Sequence, residues 1–419
     1  MKGVDVGGGA GDGAEVAARI LGSSNTPGSF FAKTRGLTGL VIDENPRLAG
    51  GSCSRRPKQF RLIRLVLMTL LAALLSGCGS FIQWAMVDAA NRGEAMDPTL
   101  DALPEGVTGE VAVRQFRVAV CPSPPLPQRQ ASISVWVLDK PGSQHWVDGA
   151  PRGTLLLLHG RSKDKSQMIP TALCCAERGY RTVLVDHRGF GRSTGDWLTY
   201  GVLESSDLRQ VVDALAERDL LAGPIGAIGV SYGAAVAIQW AAVDERAKAI
   251  VSMASFTSLR DIVPYQVRLF LPVFHWFLSD DYIQAQVTEA CGKDAADFDP
   301  ADASPVQAIA RTKAQVLLIH GTVDLLISPE HSQRLHENAG DHSTLRLVEG
   351  VRHAALLEVF EDGPPELRQS RESIFRWLDQ WMVAPVGARS GFTPALQALR
   401  DRRDTDPCSN HPGPLHSTR

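Results

Sequence analysis

Gly229-Val230-Ser231-Tyr232-Gly233 sets a serine between two glycines, after the β-rich apolar run Ile225–Val230 and before the helix-favouring Ala234–Ala242. A strand, a sharp turn and a helix in that order lift a serine hydroxyl clear of a sheet end and aim a helix N-terminus at it. The glycines answer to the close approach of two backbones, where a Cβ would clash. The motif alone also fits an ordinary strand-to-helix turn, so the rest of the chain has to decide. A serine hydroxyl is a weak nucleophile at its free pKa and needs a base, and the base needs an acid to orient it. His320-Gly321-Thr322-Val323-Asp324 closes one apolar strand run, and Gly350-Val351-Arg352-His353 closes the next. Asp324 and His353 are therefore expected in loops at the carboxyl ends of strands, on the rim that carries Ser231. His353 would take the proton from Ser231, and Asp324 would fix its tautomer. Asp261, after the preceding strand, is the competing acid. His331, His336 and His342 are expected at the wrong end or in solvent.

An oxyanion needs two donors. The backbone N–H of Tyr232 is one. The second is expected from the loop His159-Gly160-Arg161, after the third strand of the sheet, and is assigned to the Arg161 N–H; the alternative is a loop that merely ends a strand. Asp186-His187-Arg188-Gly189-Phe190-Gly191-Arg192-Ser193 lacks the Gly-Lys-Ser/Thr of a phosphate loop. It reads as a tight turn, with Asp186 and Arg188 bracing the elbow from beneath.

Five ordered motifs carry a resemblance: His159-Gly160, Asp186-x-Arg188-Gly189-x-Gly191-x-Ser193, Gly229-x-Ser231-x-Gly233, Asp324 and His353. Together they resemble the α/β-hydrolase superfamily, in particular its monoacylglycerol lipases, serine aminopeptidases and prolyl-oligopeptidase-like enzymes. The resemblance covers roughly residues 110–383. It implies hydrolysis of an ester, thioester or amide through an acyl-enzyme, with no cofactor and no metal. A serine at the elbow sets the chain apart from the branches that use an aspartate there.

The elements that must position these residues alternate. Strands are predicted over 111–120, 132–138, 154–158, 182–186, 225–230, 249–253, 315–320 and 345–348. Helices are predicted over 167–178, 204–218, 232–243 and 330–338, with a last long helix within 354–381. That alternation implies a mostly parallel sheet with helices on both faces, an α/β class with functional loops at the strands' carboxyl ends. Residues 256–312, between the sixth and seventh strands, are too long for a simple connection and are expected to form a small helical cap. Its aromatics Tyr265, Phe270, Phe274, Trp276, Phe277 and Tyr282 suit an apolar acyl group, and equally a cap core packed on itself.

With 44% hydrophobic and 21% charged residues the chain has an ordinary globular composition, and a net charge of −3 gives no support for nucleic-acid binding. Seven cysteines show no metal-ligand spacing and no disulfide scaffold. Residues 1–54 read as disordered or as upstream sequence outside the mature protein. Arg55, Arg56, Lys58, Arg61 and Arg64 then precede the charge-free apolar run Leu65–Leu75, and Leu75-Ser76-Gly77-Cys78 follows. Residues 55–77 thus resemble a bacterial lipoprotein signal, which implies lipidation of Cys78 and a membrane anchor outside the cytoplasm. An uncleaved signal anchor is the alternative. Residues 78–109 read as a tether, 110–383 as the hydrolase domain and 384–419 as a disordered tail. The expected partner is a small acyl substrate, with a carboxylester ranked above a peptide. A catalytically dead scaffold would require a missing triad member, and none is missing.

Overall fold

The computed structural model describes residues 111–121, 130–270, 278–292, 297–361 and 365–382. The predicted upstream segment, signal, Cys78, tether and tail lie outside them. So do Phe274, Trp276 and Phe277, along with the side chain of Phe270.

Eight strands form one sheet: β1 (Ala112–Val120), β2 (Ala131–Asp139), β3 (Thr154–Leu158), β4 (Arg181–Val185), β5 (Ile225–Val230), β6 (Ala247–Met253), β7 (Gln315–Gly321) and β8 (Ser343–Val348). Their spatial order is β1-β2-β4-β3-β5-β6-β7-β8. β1 and β2 run antiparallel, as do β2 and β4; every later pairing is parallel. All eight predicted strands are present.

β3 shows why a central strand reads as an unbroken apolar run. Leu156 and Leu158 join the core on one face, Leu155 and Leu157 the core on the other, and all four are buried. The first core takes in α2 (Val202–Glu217) and α3 (Tyr232–Val243); the second takes in α1 (Ile169–Glu177) and α8 (Pro365–Trp381). α3 is apolar on every side and almost wholly buried, as expected of a helix enclosed between sheet and neighbours.

Between β6 and β7 lie α4 (Leu259–Phe270), α5 (Asp280–Gly292) and the short α6 (Pro305–Ile309). The insertion is helical, as expected. Its last part differs from a cap: Ser304 N–H donates to Gln239 Oε1 at 3.2 Å and Thr312 Oγ1 to the Ala241 carbonyl at 2.8 Å, so residues 304–312 seat against α3. α7 (Glu330–Ala339) joins β7 to β8. The last long helix predicted within 354–381 is α8, which begins at Pro365, the second of two consecutive prolines, and is preceded by a 3₁₀ segment His353–Phe360. Cys121 is disulfide-bonded, while Cys174, Cys175 and Cys291 are free thiols. Among the described residues no helix is long and apolar enough to cross a membrane, and no His/Cys/Asp/Glu group could hold a metal ion.

Candidate active site

Ser231 sits between β5 and α3 with φ 54° and ψ −112°. A non-glycine residue is rarely found there, and the conformation costs about 1–3 kcal/mol. The surroundings enforce it. A Cβ on Gly229 would stand 2.3 Å from the Gly233 carbonyl oxygen, and one on Gly233 would stand 2.3 Å from that of Leu158. The Ser231 N–H is tied to the Met253 carbonyl at 2.8 Å, so β6 anchors the turn. The hydroxyl is left half-exposed at the N-terminus of α3.

The next residue is held from its far end. Tyr232 Oη donates to Glu204 Oε1 at 2.8 Å and accepts the Tyr200 N–H at 3.3 Å. Burial, then the Glu204 carboxylate, raise the phenol well above its ordinary value, so it stays protonated and donating. Glu204 in turn accepts from Thr199 N, Thr199 Oγ1 and Gly201 N, capping α2. The ring packs edge-on against His187, Phe190 and Tyr200.

Loop 159–161 lies beside the serine: a Cβ on Gly160 would stand 3.8 Å from Ser231 Cβ. The Gly160 N–H is engaged by Gln167 Oε1 at 2.9 Å. His159 is fully buried, and its Nε2 accepts the His187 N–H at 3.1 Å. That contact puts the ring hydrogen on Nδ1, which donates to the Gly160 carbonyl at 2.8 Å. Burial lowers His159 below the ordinary histidine value, which keeps this neutral tautomer. In a trans peptide N–H and C=O point in opposite directions, so fixing the Gly160 carbonyl turns the Arg161 N–H away from His159.

The bracing expected of Asp186 and Arg188 takes another form. Asp186 binds Lys165 through both the Lys165 N–H (2.6 Å) and Nζ (2.7 Å), and accepts the Arg192 N–H. Arg188 forms a bidentate pair with Asp207 of α2, 2.7 Å at each bond. Within this stretch it is the rings of His187 and Phe190, rather than Asp186 and Arg188, that pack against the elbow residue Tyr232.

On the other side, Asp324 follows β7 and His353 follows β8. His353 Nδ1 and Asp324 Oδ2 are 2.6 Å apart. Asp324 Oδ1 accepts the N–H groups of Leu326 (2.9 Å) and Ile327 (3.0 Å). Burial alone would raise this carboxyl; hydrogen bonds from His320 and His353 outweigh it and hold the group well below the usual carboxylate range. The structure thus brings the two candidate residues, Asp324 and His353, into contact. No hydrogen bond joins the Ser231 hydroxyl to His353. Such contacts are often long before substrate binds.

The competing residues have other partners. Asp261 Oδ2 takes the Thr257 hydroxyl at 2.5 Å and Arg334 at 3.2 Å. His336 contacts Ser343 Oγ and His342 the Ile309 carbonyl. His331 corrects the sequence expectation: it is buried, with Nδ1 accepting the Thr257 N–H at 3.3 Å, at the carboxyl end of the sheet rather than in solvent. His320 was a strand end in the sequence, and its proximity to Asp324 was missed; the i, i+4 spacing was the only available signal.

Residues 126–299 match the profile of a family described as X-Pro dipeptidyl-peptidase (S15 family). The uncharacterized protein YqkD of Bacillus subtilis (strain 168) is 25% identical over 203 residues, 48% of this chain and 65% of YqkD. The chain thus spans a little less than two thirds of that relative's length. Among solved structures, the esterase Pf2001 of Pyrococcus furiosus superposes with a TM-score of 0.48 at 22% identity, over 64% of this chain and 92% of the esterase. The acylaminoacyl peptidase of Pyrococcus horikoshii gives a TM-score of 0.46 at 19% identity, over 66% of this chain and 42% of the peptidase. The strand order β1-β2-β4-β3-β5-β6-β7-β8, antiparallel only at β1–β2 and β2–β4, with helices on both faces and a strand–turn–helix elbow after β5, gives the chain the α/β-hydrolase fold. Within it, the elbow serine, the paired acid and histidine, and the 159–161 loop stand on one rim of the sheet.

Proposed function

We propose that the chain is a serine hydrolase that cleaves carboxylic ester or thioester substrates through an acyl-enzyme on Ser231. The observation that carries this reading is the 2.6 Å contact between His353 Nδ1 and Asp324 Oδ2, at the sheet end where the strained turn presents Ser231. With Nδ1 committed to Asp324, Nε2 is the atom that takes the Ser231 proton as Oγ attacks the substrate carbonyl. The oxyanion formed takes the N–H groups of Tyr232 and Arg161, since the Gly160 N–H is already engaged by Gln167. Collapse of the intermediate breaks the bond to the leaving oxygen or sulfur, which receives the proton from His353. Water, deprotonated by the same imidazole, then releases the acid and restores Ser231.

A fluorophosphonate probe applied to the full chain tests this reading. Wild type is expected to label; Ser231→Ala abolishes labelling, and His353→Ala slows it by at least ~10³-fold. An unlabelled wild type refutes the reading and favours a non-catalytic scaffold.

The exposed apolar Val323 and Leu325, on either side of Asp324, favour an apolar acyl group. A peptidase of the same fold is the second reading, favoured by the match over residues 126–299 to a dipeptidyl-peptidase family. Faster turnover of aminoacyl amides than of p-nitrophenyl esters would select it. We further propose an envelope location with a lipid anchor on Cys78, supported by the basic stretch 55–64, the apolar run Leu65–Leu75 and the lipobox-like Leu75–Cys78.

A further inference from the structure

We propose that His320 is a positioning residue for the acid: a second imidazole that holds Asp324 from the side opposite His353. The proposal rests on the reading of Asp324 and His353 as acid and base. His320 ends β7, four residues before Asp324, and is fully buried. Its Nε2 lies 2.9 Å from the Ile327 carbonyl oxygen and 3.2 Å from Asp324 Oδ2. Both neighbours are acceptors when the carboxylate is ionised, so Nε2 carries the ring hydrogen. Its Nδ1 lies 2.6 Å from Oγ of Ser332, which is buried on α7. In the neutral ring, Nδ1 accepts and the Ser332 hydroxyl donates, which selects this tautomer over the other.

Ser332 thus fixes the His320 ring, whose Nε2–H bonds the Ile327 carbonyl and stands 3.2 Å from Asp324 Oδ2, the oxygen that also meets His353. Two backbone N–H groups at Oδ1 and His353 at Oδ2 bond the carboxylate, and the His320 ring closes its remaining side. The consequence is electrostatic as well as geometric. Charge that Oδ2 shares with His320 is withheld from its contact with His353. The low proton affinity of the Asp324 carboxyl, to which His320 contributes, is consistent with this. Around this cluster, Tyr265 of α4 and His331 of α7 act on Asp324 through space, and Glu330 of α7 acts on Tyr265. None of these three has a hydrogen bond to the carboxylate.

The test compares His320→Leu, which removes the donor, with His320→Gln, which keeps an N–H near the Nε2 position. Two quantities are read in the full-length protein: the pH profile of kcat/KM on p-nitrophenyl butyrate, and the downfield Nδ1–H proton resonance of His353. In the Leu variant the acid limb should move up by about half a pH unit, kcat should fall roughly tenfold, and the His353 proton should shift. The Gln variant should keep the limb and the resonance of wild type. A packing role alone would lower stability in both and leave the limb in place, and that outcome overturns the proposal. Should His320→Leu not fold, Ser332→Ala replaces it, with a smaller upward movement expected and an unmoved limb overturning the idea. The His353 resonance needs no turnover. A wild type inactive on esters would therefore strike the proposed function, while the resonance would still test His320.

Discussion

On one side of Ser231, backbone sterics decide positions: the turn has no room for a Cβ at Gly229 or Gly233, and His159, Tyr232 and Lys165 are buried with their polar atoms engaged. On the other side, Asp324 lies in a loop between exposed side chains, Val323 at 43% and Leu325 at 74% of full exposure, and His353 opens a 3₁₀ segment. Here the connections are hydrogen bonds between ionisable groups rather than contacts between backbones. Ser231 and loop 159–161 are thus fixed by the fold, while the contact of His353 with Asp324 depends on the state of its protons. Electrostatic stabilisation of an oxyanion gains most from groups that need not reorganise, whereas a base has to gain and lose a proton in each cycle.

The largest effect expected on this contrast is from Gly233→Ala. The new Cβ would meet the Leu158 and His159 carbonyl oxygens at 2.3 and 2.6 Å, and neither can move without shifting β3. Stability should fall by at least ~3 kcal/mol in chemical denaturation, with loss of fluorophosphonate labelling. A soluble variant that labels normally would show that the turn is less constrained than its geometry states.

Next comes the proton dependence of the other wall. Burial pushes His331 down to about 4, against 6.5 in the unfolded chain. Between those values the unfolded state binds a proton that the folded state does not, so stability rises with pH across this window. The contribution is complete above about 6.5, is lost as pH falls towards 4, and is on the order of 3 kcal/mol. His331→Leu should therefore narrow the difference in Tm between pH 7 and pH 4.5. His159 and His187 are also held neutral by burial, so the difference shrinks without vanishing. An unchanged slope would remove His331 from the account.

The smallest effect is expected from Tyr232→Phe. Loss of the hydroxyl leaves the Tyr200 N–H without its acceptor and removes one of the donors to Glu204, at a cost of about 1–2 kcal/mol. The Tyr232 N–H stays where the turn puts it, so kcat should change by less than about threefold. A fall as large as that of an oxyanion-hole deletion, about 10²-fold or more, would mean that side-chain bonds, and not the turn, set the donor's position.

What could be read in advance follows the same division. The eight strands were legible because buried parallel strands are apolar runs and the sheet imposes a regular alternation with helices. The placement of Ser231, Asp324 and His353 on one rim of the sheet was legible because each falls just past the end of such a run. His331 was misread because a helix pattern gives its own apolar face but not its rotation about the sheet end, which tertiary packing decides. His320 was overlooked because a strand-terminal histidine in an apolar run looks like core, and only the curl of residues 321–327 returns Asp324 to it. The pairing of Lys165 with Asp186, 21 residues apart, has no local signal at all.

That buried pair has a bearing on how a substrate reaches Ser231. Lys165 also donates to Ser134 at 2.9 Å and lies over the Trp136 ring, so the segment leading away from Arg161 is riveted to β2 and β4. Separating such a pair inside a protein costs about 3–5 kcal/mol. Loop 159–161 is therefore the fixed side of the proposed site. On the proposed function, room for a bulky acyl group comes from the opposite side, where Tyr265 of α4 is linked to the Leu325 carbonyl by a hydrogen bond of 2.8 Å.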